Sequence, residues 1–209
     1  IKTLTGHTGW VECLTISDGK LYSGSAYNSI MVWNCSNHEL ITTLGVPEEH
    51  DEEGEYEGHA GWVNCLTINY GKLYSGRLHK TIKVWDCSTN KLITTLTEHT
   101  DEVYRLLIHG GKLYSQAYNN VVKVYNCSDD TLITTLEDHT GYVDCLEIHD
   151  GKLYTGSRDR TINVYDCSDD SLITSLRGHT DCVNELTFQN GKLYSKQVHQ
   201  FCVTGDIYI

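Results

Sequence analysis

Gly151-Lys152-Leu153-Tyr154-Thr155-Gly156-Ser157-Arg158-Asp159-Arg160-Thr161-Ile162-Asn163-Val164-Tyr165-Asp166 reads as two short strands joined by a tight turn. Residues 152–157 are one strand, Arg158-Asp159-Arg160 the turn, and residues 161–166 alternate apolar and polar as a half-buried strand should. Upstream, Tyr142–Ile148 is rich in β-formers and stops at the turn His149-Asp150-Gly151. Downstream, after Asp169-Asp170, residues 172–176 supply a fourth strand, and no segment of the chain carries sustained helical periodicity.

This unit is repeated. A Gly/Glu/Asp-His-Thr/Ala step places histidines at His7, His59, His99, His139 and His179, the last four spaced by 40 residues. The first interval is 52, which marks a 12-residue insertion at about 45–57. Gly-Lys-Leu-Tyr recurs in step from Gly19, Gly71, Gly111, Gly151 and Gly191. A period near 40 with four short strands is the signature of a propeller blade. The expected fold is therefore all-β, one propeller domain over 1–209 built from five four-stranded repeats.

Gly178-His179, Thr155-Gly156-Ser157-Arg158-Asp159-Arg160-Thr161-Ile162 and Val84-Trp85-Asp86 resemble the Gly-His, Ser-Gly-Ser-x-Asp-x-Thr-Ile and Trp-Asp signatures of WD40 repeats, over essentially the whole chain. The resemblance implies radially arranged blades that form a rigid interaction platform, usually without catalysis. Residues 1–4 match the fourth-strand segments at 41–44 and 133–136, while the chain ends near the end of a third strand. A closed five-bladed ring, with the N-terminal strand completing the last blade, follows as the favoured arrangement because it leaves no open sheet edge. A portion of a larger, seven-bladed ring has the same terminal phase and stays open.

The net charge of -12 and the absence of any basic run argue against a nucleic-acid partner. No apolar stretch approaches a membrane span, and no signal-peptide pattern precedes the first repeat. The chain does not begin with Met, as expected of a processed or excised piece. Cys35, Cys87, Cys127 and Cys167 share one repeat position, and Cys13, Cys65 and Cys145 another. Thiols recurring once per repeat, with an odd total of nine and no C-x-x-C pair, read as buried packing residues. A reducing, intracellular compartment follows. Asn34-Cys35-Ser36 and Asn126-Cys127-Ser128 match glycosylation sequons, but the sister repeats carry Asp86 and Asp166 there, so coincidence is the simpler reading.

The resemblance also implies a buried network joining the Gly-His histidine, a second-strand Ser or Thr, a turn Asp and a third-strand Trp. Only the fourth repeat nears completeness, with His139, Thr155 or Ser157, Asp159 and Tyr165. Tyr27, His79, Asn119 and His199 replace the turn Asp elsewhere, and Gly205 replaces the last aromatic. This erosion predicts blades that rely on apolar packing, with the fifth the least regular. A His, a Ser and an Asp invite a catalytic-triad reading, but nothing in the sequence supplies an exposed nucleophile or an oxyanion hole. Beyond the repeat histidines the rest are scattered without ligand spacing, so neither metal nor cofactor is expected.

Binding is expected at positions that vary between repeats at one end of the blades. The residue before the first-strand Val is Trp10, Trp62, Glu102, Tyr142 or Cys182; the residue after it is Glu12, Asn64, Tyr104, Asp144 or Asn184. The turn position is Ala26, Leu78, Tyr118, Arg158 or Val198. In the substrate receptors that the chain resembles, equivalent positions line the top face. Aromatic residues dominate the set, as they do at interface hot spots; the plain alternative is that Trp10 and Trp62 only cover the blade ends. Arg158 is its one cation, which suits an apolar or basic ligand better than a phosphorylated one. The insertion is strongly acidic, either a docking arm for a basic partner or a solvated spacer. The expected function is a non-catalytic scaffold or substrate-recruiting module that binds a peptide or protein. The rival is a structural block in a homo-oligomer, filament or larger assembly.

Overall fold

A computed structural model describes residues 2–26, 29–45, 62–77, 79–197 and the backbone of 206–208. Each repeat forms one antiparallel sheet whose strand order follows the chain. The first sheet holds β1 (Val11–Ser17), β2 (Lys20–Ser25), β3 (Ile30–Asn34) and β4 (Leu40–Leu44). The second holds β5 (Val63–Asn69), β6 (Lys72–Arg77), β7 (Ile82–Asp86) and β8 (Leu92–Leu96). The third holds β9 (Val103–His109), β10 (Lys112–Ala117), β11 (Val122–Asn126) and β12 (Leu132–Leu136). The fourth holds β13 (Val143–His149), β14 (Lys152–Ser157), β15 (Thr161–Asp166) and β16 (Leu172–Arg177). The fifth has three strands, β17 (Val183–Gln189), β18 (Lys192–Gln197) and β19 (Asp206–Tyr208). The chain divides into two compact units, Ile1–Leu106 and Leu107–Ile209.

Turn chemistry sets the register. Asp150 and Gly151 take φ of 46° and 70°, the paired positive values of a two-residue hairpin whose twist matches its strands. Asp18-Gly19, Tyr70-Gly71, Gly110-Gly111 and Asn190-Gly191 do the same. After the third strand of each of the first four sheets an Asx turn follows. Asp86 Oδ1 accepts from Ser88 N–H and its hydroxyl at 2.7 and 2.5 Å, and hydrogen bonding to Ser88 and Thr89 holds that carboxyl down at about 2. Asn34 and Asn126 accept from Ser36 and Ser128 in the same way, so both sequon asparagines do the structural work of Asp86.

Within each unit, neighbouring sheets meet at one recurring contact. Gly24 lies opposite Cys13 across the β1–β2 pair, and a methyl group on it would fall 2.6 Å from Cys13 Sγ and 2.7 Å from Val63 Cγ1 of the next sheet. Gly76 stands likewise against Cys65 and Val103, and Gly156 against Cys145 and Val183. Cys145 Sγ also approaches the Val183 carbonyl at 3.6 Å. Burial pushes the Cys13 thiol up to about 12 and that of Cys65 up as well, so these sulfurs stay protonated packing atoms. The eight cysteines among the described residues are free thiols, as the repeat spacing led one to expect. Where the small pair is absent the chemistry changes: Gln116 Nε2 donates to the Val143 carbonyl at 2.7 Å, and Lys196 pairs with Glu185 at 3.2 Å.

The Gly-Lys-Leu-Tyr repeat ties the opposite ends of the sheets. Lys20 Nζ donates to the Cys87 carbonyl of the following sheet at 2.7 Å. Lys112 Nζ donates to the Cys167 carbonyl at 2.9 Å and to Asp170 at 2.7 Å, and the Tyr114 hydroxyl donates to Asp170 Oδ1 at 3.0 Å. Buried tyrosines Tyr22, Tyr74 and Tyr114, with Leu73, Leu113, Leu153 and the third-strand Val residues, fill the cores of the two units.

The polar network survives more widely than the expected erosion allows. In the fourth sheet His139 Nδ1 meets Asp159 Oδ2 at 2.8 Å and Nε2 meets Thr155 Oγ1 at 2.7 Å, while Thr161 donates to Asp159 Oδ1 at 2.6 Å. In the first sheet His7 Nε2 contacts Ser23 Oγ at 2.6 Å, and Trp33 Nε1 donates to the same oxygen at 2.9 Å. In the fifth, His179 contacts Ser195 Oγ at 2.6 Å and Gln197 Oε1 at 3.0 Å. Gln197 also accepts from Thr180 N–H, the job Asp159 does for Thr140. The reason is chemical: a side-chain amide oxygen from the strand end accepts as well as a turn carboxylate. The fifth sheet is irregular in register. Thr155 faces Asn163, so the repeat would set Ser195 opposite residue 203, yet Ser195 faces Tyr208. Residues 2–10 carry no strand and lie beside the first sheet, with Lys2 reaching the Asn37 carbonyl at 3.5 Å. Ile1 and residues 46–61, which include most of the acidic insertion, lie outside the described residues.

Two outcomes test this packing. Gly156→Ala should lower stability by about 1–3 kcal/mol through overpacking, and adding Cys145→Ala should recover part of it, both read by urea unfolding. Burial works to raise the Asp159 carboxyl, but hydrogen bonds from Thr161, His139 and Thr140 overcome that and hold it at about 2. Its folded value lies below the unfolded one of about 3.9, so its contribution is full above that value and is lost as pH falls towards 2. Asp159→Asn should cost about 1–3 kcal/mol at neutral pH and flatten the fall in stability between about pH 4 and 2, as measured by urea midpoints across that range.

Candidate functional site

The residues flanking the first-strand Val and those of the facing turn gather at one end of each sheet. The β hairpin brings them together: Val143 lies opposite Ser157, so Tyr142 and Asp144 fall beside Arg158. The backbone there is shared between repeats. Arg158 N–H donates to the Tyr142 carbonyl at 2.9 Å, and Ala26 N–H donates to the Trp10 carbonyl at 2.9 Å.

In the first unit, Trp10 and Trp62 stand edge to face, ring centroids 6.3 Å apart and planes at 73°. They are exposed to 74% and 43%, too open for caps on a core. Glu12, Trp62, Asn64 and Tyr104 line a cavity of about 350 Å³. Tyr104 donates its hydroxyl to Glu102 Oε2 at 2.5 Å, and Asn64 Nδ2 donates to the Val103 carbonyl at 3.1 Å. Six of the expected positions therefore form one aromatic and acidic surface.

In the second unit, Tyr118 and Tyr142 lie with ring centroids 4.8 Å apart. The Arg158 guanidinium sits 5.1 Å from each ring centroid, and its Nε contacts both Asp144 oxygens at 3.0 Å. Hydrogen bonding to Asp144 pushes the Arg158 guanidinium above its ordinary value, so the cation is permanent. Four more expected residues thus form a closed, self-satisfied cluster. Cys182 is half-buried near the Arg158 carbonyl, and Asn184 is exposed on β17. Ala26 is buried, while Leu78 and Val198 lie outside the described residues.

Three features escaped the sequence reading. The Lys and Tyr of Gly-Lys-Leu-Tyr join successive sheets, a pairing between residues 58 positions apart that only spatial adjacency reveals. Arg77 is 4% exposed, its Nε and Nη2 have no hydrogen-bond partner among the described residues, and burial draws it down to about 10. A cavity of about 490 Å³ lies beside Leu193, His179 and Ser195. Ile162, Leu176, Arg177 and Gly178 also line it.

His139, Thr155 and Asp159 have the connectivity of a triad, but Thr155 is 0% exposed and no substrate can reach its hydroxyl. The arrangement locks the turn.

The WD domain, G-beta repeat family matches residues 1–34, 51–86 and 130–166, just over half of the chain. The chain belongs to the WD40 family. The chain is similar to the zinc finger CCCH domain-containing protein 62 of Arabidopsis thaliana, 37% identical over 91 residues, which are 44% of this chain and 20% of that protein. The small ribosomal subunit protein RACK1y of Oryza sativa subsp. japonica is 35% identical over 97 residues, 44% of this chain and 25% of that protein. The chain thus spans about a quarter or less of these relatives. Among solved structures, the RRP9 WD40 repeats superpose with a TM-score of 0.75 at 25% identity, covering 93% of this chain and 59% of that one. U3-55K gives 0.76 at 24% identity, covering 94% and 61%. The fold is an all-β WD-repeat propeller architecture with antiparallel four-stranded blades. Among the described residues no helix is long and apolar enough to cross a membrane.

The second cluster predicts a local outcome. Arg158→Ala should change stability by less than about 1 kcal/mol, because an exposed ion pair contributes little. It should free Tyr118 and Tyr142, seen as increased ring mobility by NMR.

Proposed function

We propose that this WD40 chain is a non-catalytic protein-interaction scaffold that grips a peptide or protein with the varying residues at one end of its blades. One observation carries the reading: Trp10 and Trp62 are exposed and mutually packed at repeat positions that the scaffold does not need, since Tyr142, Glu102 and Cys182 occupy them elsewhere. Exposed tryptophans beside a cavity cost solvation unless a partner covers them. Relatives such as the ribosomal-subunit protein RACK1y support a role within assemblies. The free thiols support an intracellular, reducing setting.

The test is capture of partners by the immobilised chain from an extract of its source, quantified against the Trp10→Ala/Trp62→Ala double variant. Hot-spot loss predicts a drop of at least about thirtyfold in captured partner. Trp33 and Trp85, buried and bonded to Ser23 and Ser75, report through their fluorescence that the fold is kept. Unchanged capture by the folded variant would falsify the proposal.

A further inference from the structure

We infer that the aromatic surface of the first unit takes a proline-rich segment of a partner polypeptide, in the polyproline II conformation and flanked by a basic residue. This rests on the reading above and adds the chemistry of the partner. Three exposed rings stand in succession there. Trp10 packs edge to face on Trp62, and Trp62 shares with Tyr104 the cavity of about 350 Å³ that Glu12 and Asn64 also line. In the second unit the Tyr118 and Tyr142 rings are covered by Arg158, so the open rings belong to the first.

Hydrogen-bonding capacity decides which kind of chain fits. Asn64 Nδ2 already donates to the Val103 carbonyl, and the Tyr104 hydroxyl to Glu102. Trp33 and Trp85 donate their indole N–H to Ser23 and Ser75 at 2.9 Å, whereas Trp10 and Trp62 donate to no group among the described residues. The surface therefore offers apolar ring faces and two uncommitted indole donors. Its complement presents open carbonyls and compact apolar rings. An α-helix keeps its carbonyls in its own hydrogen bonds, and an ordinary extended strand brings an N–H for almost every carbonyl. A polyproline II segment has no internal hydrogen bonds, so its carbonyls stay open, and its prolines carry no N–H. Its preformed shape also loses little entropy when it docks on aromatic residues. Charge sets the flank: Glu12 lines the cavity and Glu102 accepts from Tyr104, in a chain of net charge -12. A Lys or Arg beside the prolines is drawn to that end of the sheets.

The intact chain is titrated with acetyl-Arg-Pro-Pro-Pro-Pro-Pro-Gly-amide and with the same peptide carrying alanine in place of every proline. The four indole N–H signals are followed by NMR. Trp33 and Trp85, bonded to buried serines, serve as internal references for the fold. The proline peptide should shift Trp10 and Trp62 saturably and move their N–H protons downfield as they begin to donate. The alanine peptide should bind at least about tenfold more weakly. Trp10→Phe/Trp62→Phe keeps a ring at each place and removes both donors. It should weaken the proline peptide by about fivefold or more, read from the Tyr104 ring signals. Glu12→Gln should weaken it by about threefold and flatten its dependence on salt.

Equal or tighter binding of the alanine peptide, no response of Trp10 and Trp62 to the proline peptide, or unchanged affinity in the phenylalanine variant overturns the assignment. An affinity that Glu12→Gln leaves unchanged overturns the basic flank. If those results come while Trp10→Ala/Trp62→Ala still loses its partners, the proline site falls and the scaffold reading stands. If the alanine double variant keeps its partners, the scaffold reading falls, whatever the titration shows.

Discussion

Successive sheets approach as closely as they do because one second-strand residue has no side chain. At Gly24, Gly76 and Gly156 even a methyl group would overlap a cysteine of the same sheet and a valine of the next. Everything else in each unit is arranged around that approach. The first-strand Val is buried completely or nearly so at Val63, Val103, Val143 and Val183, while Val11 stays exposed, and the thiol fills the gap that the glycine leaves. Close packing of this kind tolerates little change in volume, which accounts for the co-variation of the pair. Where glycine is replaced the cysteine goes too: Gln116 reaches the Val143 carbonyl of the next sheet, and Lys196 pairs with Glu185 across its own sheet.

Two polar systems hold the sheets at their ends. One is the histidine network, which keeps its donor and acceptor pattern while exchanging Asp159 for Gln197 and Thr155 for Ser23 or Ser195. The other is the lysine and tyrosine clamp onto the carbonyls after the next third strand. Both satisfy buried groups that would otherwise cost free energy. Because packing and polar satisfaction are met by repeated residues, the residues flanking the first-strand Val are released from structural duty. They are filled differently in each unit, once as a self-paired arginine cluster and once as an open aromatic surface.

Much of the fold was legible in the sequence because it depends on local chemistry. Paired turn residues before each Lys-Leu-Tyr, alternation in the third strand and thiols at fixed phase all act within a few positions. The eleven candidate residues came from subtracting what repeats to leave what varies, and all but Asn184 fall in two clusters. What escaped depends on space or on chemical equivalence. No local pattern shows that Lys112 meets Asp170, that Gln197 can act for an aspartate, or that Ser195 faces Tyr208.

The central claim is that the binding surface is separable from the scaffold that carries it. Urea unfolding of a chain with Trp10, Trp62 and Tyr104 all replaced by serine tests that most directly. The account predicts that the triple replacement, made at exposed positions, destabilises the chain less than the single change Gly156→Ala. A triple variant less stable than Gly156→Ala would contradict it, because the aromatic surface would then belong to the core.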